Sequence, residues 1–328
     1  MRRLICGWLL LLPLGAIGAE AASSSKIDEV VVSASRPGPG LWRVSKDGHE
    51  LWVLGTVSPV LRKMKWEASL VEGVIAESGA VLLPPNVDLD FDIGFFGKAM
   101  LIPSALGARN NPNKAKLKDV LTPADYARFS ALKLKFMPRN RSIEKRRPIM
   151  AASDLYKNAV EDVGLQLDSV TAKVIKRAAK RNKIKPTEPR LELMLNDPKV
   201  AIKELKDSSL DDLQCLQQTM TFIETDLDAA KARASAWADG NVDALKQLPL
   251  TDRRTACSGA LLNSPVMRKR GFDDLPARLQ AVWLDAAEKA LLEHAVSFAA
   301  IPMQEVLSAD GYLAALAKRG YLVEAPGE

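Results

Sequence analysis

Two histidines and three cysteines are all that the 328 residues contain, and after residue 21 no apolar run approaches the roughly 20 residues that a membrane-spanning helix needs. The shortage of histidine restricts imidazole chemistry. A serine hydrolase would need a base beside its nucleophile, and neither His49 nor His294 has a sequence context that recommends it. His49 follows the Asp47-Gly48 turn and reads as its exposed neighbour. His294 closes an amphipathic helix, where its charge would interact favourably with the helix dipole.

Aromatics are missing where a nucleic-acid platform would want them. The basic run KVIKRAAKRNKIK, residues 173–185, places Lys173, Lys176, Arg177, Lys180 and Arg181 at helical spacing with no aromatic between them. It reads as a solvated helix face, with an acidic surface or anionic lipid as the alternative, and no nucleic-acid partner is expected despite the net charge of +6. With 47% apolar and 26% charged residues, the chain is an ordinary globular sequence, enough for one large domain or two modest ones.

The one long apolar stretch is at the start. MRRLICGWLLLLPLGAIGAEA sets two arginines before an apolar run and ends in Ala19-Glu20-Ala21, so residues 1–21 are expected to be a signal peptide, cleaved near Ala22. Cys6 precedes most of that run, which argues against a lipoprotein. The mature chain is expected in the periplasm or secreted, without a transmembrane segment. Export leaves Cys215 and Cys257 in an oxidising space, where an even pair is expected to form a disulfide.

Residues 22–39 read as a flexible tether, with a Pro/Gly hinge from Pro37 to Gly40 and one β-branched run, Val30 to Val32. Residues 28–36, DEVVVSASR, with Ile27 before them, resemble the TonB box, a short strand that adds to a partner's sheet edge. A strand that pads the protein's own sheet is the other reading.

LWRVSKDGHELWVLGTV is two apolar runs around Asp47-Gly48, a hairpin. In WEASLVEGVIAESG, Trp66, Leu70 and Val74, with Val71 and Ile75, form a helix face ending at Gly79, and Ala80 to Leu83 is an apolar strand. This β-α-β order predicts a parallel or mixed sheet entered by a hairpin. From about 117 to 262 the pattern is mainly helical, with Thr122 as a cap, continuous helices over SIEKRRPIMAASDLYKNAVEDV and LDDLQCLQQTMTFIETDLDAAKARASAWADG, and a short strand end at 185–189. Then LPARLQAVWLDAAEKALLEH is a helix, VSFAAIP a buried strand, SADGYLAALAKRG a helix capped by Ser308 and stopped by Gly320, and YLVEAP a closing strand. Asp88, Asp90 and Asp92 in NVDLDFD alternate as oxygen ligands for Ca²⁺ or Mg²⁺ would, but a solvated loop is favoured because the calcium-loop Gly and Glu are absent.

Three segments in order, LWRVSKDGHELWVLGTV, LDSVTAKVIKRAAKRNKIKPTEP and VSFAAIPMQEVLSADGYLAALAKRGYLVE, resemble the TraB/GumN family, relatives of the Tiki proteases. The resemblance covers about Gly40 to Ala325. It implies an α/β fold with a Tiki-like core of two α/β halves and a large helical insertion, over residues 40–328. That family has Gly-Thr-x-His at an early strand end, Gly-x-x-His near the close, an acidic residue after the second early strand and an arginine in the helical region. In Tiki-like members the histidines are associated with a divalent metal and hydrolysis, imidazoles at strand ends holding a metal that activates water. Here Gly55 and Thr56 match, but Ser58 stands at the first histidine, Pro302 and Glu305 at the second glycine and histidine, and Pro84 at the acid. Arg253 or Arg254 matches the arginine.

The resemblance therefore implies an exported binding or accessory protein, a pseudoenzyme of the bacterial envelope, with no cofactor and with an envelope protein or a small ligand as partner. Two alternatives remain. One is a metal-dependent hydrolase rebuilt around Glu305, with Arg253 and the NVDLDFD aspartates. The other is an envelope adaptor binding through residues 28–36. The six tryptophans are spread along the chain rather than grouped as a sugar-stacking platform.

Overall fold

The computed structural model describes residues 37–91, 93–208, 210–248 and 253–327. The leader, the TonB-box-like strand and Asp92 lie outside them. The described end of the expected tether is packed rather than free: the Gly38 N–H donates to the Ala238 carbonyl at 3.0 Å, and Gly38 and Pro39 are buried.

Strands β1 (Leu41–Lys46) and β2 (His49–Thr56) form the expected hairpin, turning through Asp47 and Gly48 at φ 52° and 83°. Positive φ at both central residues is the geometry an Asp-Gly pair favours. A two-residue strand, β3 (Val60–Leu61), precedes helix α1 (Ser69–Glu77) and strand β4 (Ala80–Leu82). Helix α1 buries Val71 and Ile75, whereas Leu70 is exposed and Trp66 lies ahead of the helix, edge-on to Trp237 at 5.3 Å. The helix ends at Ser78 rather than Gly79. Gly79 is needed for another reason, because a Cβ there would overlap the His294 ring.

Residues 86–91 are not a loop. They form β5 (Asn86–Phe91), paired in parallel with β7 (Arg190–Leu195), and Asp88 is 3.4 Å from the Arg190 guanidinium. The alternation of Asp88 and Asp90 with Val87 and Leu89 was the strand's own signal, but its partner is about a hundred residues away and no turn marks the pairing. An unforeseen helix, α2 (Phe95–Ala108), follows.

The helical insertion holds α3 (Leu117–Val120), α4 (Pro123–Phe136) with Thr122 as its cap, α5 (Pro148–Asp162), strand β6 (Leu165–Gln166), α6 (Val170–Arg181), then β7 and α7 (Pro198–Asp207). The region 142–162 is broken before Pro148, where a 3-10 turn ends, because proline lacks the N–H that a helix interior requires. Helices α8 (Leu213–Thr221) and α9 (Leu227–Ala238) run on through a π-helical turn at Phe222–Asp226. Next come α10 (Val242–Gln247), α11 (Arg253–Leu262) and α12 (Pro265–Arg268). Cys215 on α8 is bonded to Cys257 on α11. The five cations read on α6 are all exposed, and Arg181 pairs with Glu72 at 2.7 Å.

The chain closes with α13 (Leu275–Glu293), β8 (Val296–Pro302), α14 (Met303–Leu307), α15 (Tyr312–Lys318) and β9 (Leu322–Glu324). Ser308 ends α14 instead of capping the next helix; Gly311 is the N-cap of α15. Gly320 stops α15 as expected, at φ 84°.

The main sheet has the order β4-β8-β2-β1-β9, with β4, β8 and β2 parallel and β1 antiparallel to both neighbours. The two halves thus share one mixed sheet, because β8 inserts between β2 and β4. Leu51, Val53 and Leu54 of β2 and Phe298 to Ile301 of β8 are buried, the near-continuous apolar pattern of strands covered on both faces. Two hydrophobic clusters result: one around this sheet, including Trp237 and Trp283, and one inside the insertion, around Phe129, Leu155, Leu216 and Met220.

Candidate functional site: an arginine-lined crevice at the strand ends

Parallel strands direct their carboxyl ends to one edge, and ligands of open α/β sheets bind beyond that edge. Here β2 and β8 end side by side, with Gly55 opposite Ile301 and Thr56 opposite Pro302. The Gly55 carbonyl accepts a 2.6 Å hydrogen bond from Trp237 Nε1, and a Cβ at Gly55 would lie 2.6 Å from Met303 Cε. Glycine is therefore required by close packing of α14 and the strand end. Thr56 Oγ1 donates to the Ile301 carbonyl at 3.2 Å, and Ser58 Oγ donates to the Leu167 carbonyl at 3.3 Å.

Beyond these ends is a crevice of about 240 Å³ where the two hydrophobic clusters meet. Thr56 to Pro59 and Pro302 to Gln304 form one wall; Tyr156, Phe222, Arg233 and Arg253 form the other. The Arg253 guanidinium carbon lies 3.8 Å from the Tyr156 ring centroid, a cation–π contact, and Tyr156 meets Phe222 edge-on at 5.4 Å. Burial raises the Tyr156 hydroxyl above the ordinary phenol range, against the pull of Arg253 and Arg233. Burial also lowers Arg233, which the Asp226 charge partly offsets. Among the described residues, the lining contains two arginines and no carboxylate or histidine.

Of the residues expected from the motif pattern, Thr56, Ser58, Arg253 and Pro302 line this crevice, and Gly55 supports it from behind. Glu305 does not line it; its carbonyl instead packs against Gly311, where a Cβ would overlap it. Pro84 follows β4 and is also absent from the lining. His49 and His294 are at the far end of the strands, with His49 Nδ1 donating to the His294 carbonyl at 2.8 Å. The length of β2 puts them about 23 Å from Thr56. Tyr156, Phe222 and Arg233 were not singled out from the sequence. The one local sign was a long cationic side chain at Arg233 among alanines, four residues before the buried Trp237.

A divalent metal does not fit this donor set. Ser58 offers only a neutral hydroxyl, a weak ligand, Pro302 has no side-chain ligand atom, and two guanidinium groups would repel a dication. Among the described residues no cluster of three or more His, Cys, Asp or Glu is placed to hold a metal. A wider groove of about 860 Å³ along α11 and α12 contains none of the motif positions.

Fold and site together define an α/β protein with a helix-covered, cationic crevice at the carboxyl edge of a mixed sheet. The TraB/PrgY/gumN family model matches residues 40–325, and the chain belongs to that family. No curated protein and no solved structure matches the chain. Among the described residues, no helix is long and apolar enough to cross a membrane.

Proposed function

We propose that this is a non-catalytic, exported member of the family, a binding or accessory protein of the bacterial envelope whose crevice takes a small anionic group. The observation that carries the reading is that Ser58, at the motif's first histidine position, lines the crevice together with Arg253 and Arg233, while Glu305, at the second histidine position, is not in that lining. Guanidinium groups beside hydroxyl and amide side chains suit a carboxylate or phosphate. The signal-like residues 1–21 and the Cys215–Cys257 bond support export. A hydrolase rebuilt on Glu305 has no geometric support, since that side chain is not on the crevice wall. The adaptor reading rests on residues outside those described.

The test pairs elemental analysis with thermal melts in chelator and in inorganic phosphate. Expected are a metal-free protein, a melt indifferent to chelator, and a midpoint raised by phosphate in the parent but not in Arg253→Gln. A ligand at about a hundred times its Kd stabilises by about 2.7 kcal/mol. One equivalent of divalent metal with a chelator-sensitive melt would overturn the proposal in favour of the hydrolase. So would phosphate protection that survives the substitution, which would place the anion elsewhere.

A further inference from the structure

Helix α2, FFGKAMLIPSALGA, carries one ionisable residue in fourteen, yet it is not a core helix. Met100, Ile102 and Leu106 are 70%, 58% and 53% exposed, and every residue from 102 to 106 is exposed. Leu101 and Ala108 are the buried ones among its described side chains. A helix apolar around most of its circumference is stable in water only when something covers it.

Its neighbour supplies the second half of the pattern. Helix α7 packs against α2, and a crevice of about 440 Å³ between them is lined by Met100, Leu101 and Ile202 together with Lys199, Lys203 and Lys206. Asp207 is the acid in that lining. Among the described residues no ion pair engages the three lysines, while Glu204, the other acid of α7, is held by Lys269 at 3.0 Å and Arg270 at 2.7 Å. The Lys206 stem lies over Gly107, where a Cβ would be 3.9 Å from its Cε. Val200, on the same helix, is half exposed.

From this juxtaposition we infer that α2 and α7 form a docking face for an anionic lipid surface, with the apolar side chains of α2 entering the headgroup region and the α7 lysines meeting lipid phosphates. An apolar helix rimmed by cations is complementary to a bilayer interface. A second copy of the chain fits less well, because a twofold interface would bring the same lysines face to face. This inference is independent of what the strand-end crevice binds.

Residues 35–328 form a compact unit that includes both hydrophobic clusters, so they can be tested beside the full chain without the apolar leader. The readout is cosedimentation with vesicles of phosphatidylglycerol and phosphatidylcholine, or of phosphatidylcholine alone. Binding to the anionic vesicles is expected, weakening with salt. Lys199→Glu/Lys203→Glu/Lys206→Glu should weaken it by about tenfold or more, and Ile102→Asp/Leu106→Asp should remove most of it. These sites are exposed, so unchanged melts verify that the variants fold. Failure of residues 35–328 to bind anionic vesicles would overturn the inference, as would variants that bind like the parent. A dimer in sedimentation that the α2 variants dissociate would also overturn it, assigning the face to a second copy.

Discussion

Tyr156 is the residue in which the crevice's two demands meet. Its ring carries Arg253 on one face and its hydroxyl is buried, so the phenolate is disfavoured although two arginines stand near it. A pKa higher in the folded than in the unfolded chain means tighter proton binding when folded. The associated stability is therefore fully present below the unfolded value of about 10 and is lost as the pH rises through the folded one. Phenolate absorbance of the parent minus Tyr156→Phe should titrate above the ordinary tyrosine range. Arg253→Gln should push it higher, since Arg253 favours the ionised form; a Tyr156 indifferent to that substitution would mean that the two groups do not share the wall. Gly55, Thr56 and Arg253 were legible because a motif marks them. Tyr156 and Arg233 were not, because each reaches the site from a different helix of the insertion and no local spacing records that meeting.

Among the elements, α2 and α7 depend on one buried side chain. Arg147, which precedes α5, donates to the carbonyls of Ala108 at 2.9 Å, Leu205 at 2.6 Å, Lys206 at 2.9 Å and Ser208 at 3.0 Å, satisfying helix-end acceptors that have no partner within their helices. Burial lowers Arg147 and raises the neighbouring Asp212, which accepts from the Ile149 N–H at 3.0 Å. Arg147→Met removes the donor shared by four carbonyls, of which Leu205 keeps the Ser208 hydroxyl at 3.0 Å, and leaves Asp212 without its cation. It should cost roughly 3–5 kcal/mol in urea unfolding, and hydrogen exchange should show α2 and α7 loosening first. Uniform exchange across the variant would show that the two helices do not depend on this clamp. The hairpin, α4 with its Thr122 cap, β8 and α15's glycine stop were readable because their signals lie within a few residues. The β5–β7 pair was not readable, because parallel pairing leaves no turn signature.

For the molecule as a whole, the disulfide ties the insertion to itself where the crevice needs it. Cys215 and Cys257 are 42 residues apart, and α11, which carries Cys257, starts at Arg253. Cys215→Ala/Cys257→Ala should lower stability by about 4 kcal/mol in the chain-entropy account. It should also weaken protection by phosphate, since α11 positions Arg253 over Tyr156. An unchanged unfolding midpoint would mean that packing alone holds α11 in place.

The sequence by itself determined the α/β class, the hairpin entry and the cysteine pair, since each is written in residue type or short-range order. Only the tertiary structure decided that β8 inserts between β2 and β4, that Glu305 is left out of the crevice lining, and that Arg233 and Tyr156 are part of it. Those outcomes depend on which apolar faces bury one another across a hundred or more residues. Side-chain periodicity states that a face will be buried, but only packing selects its partner.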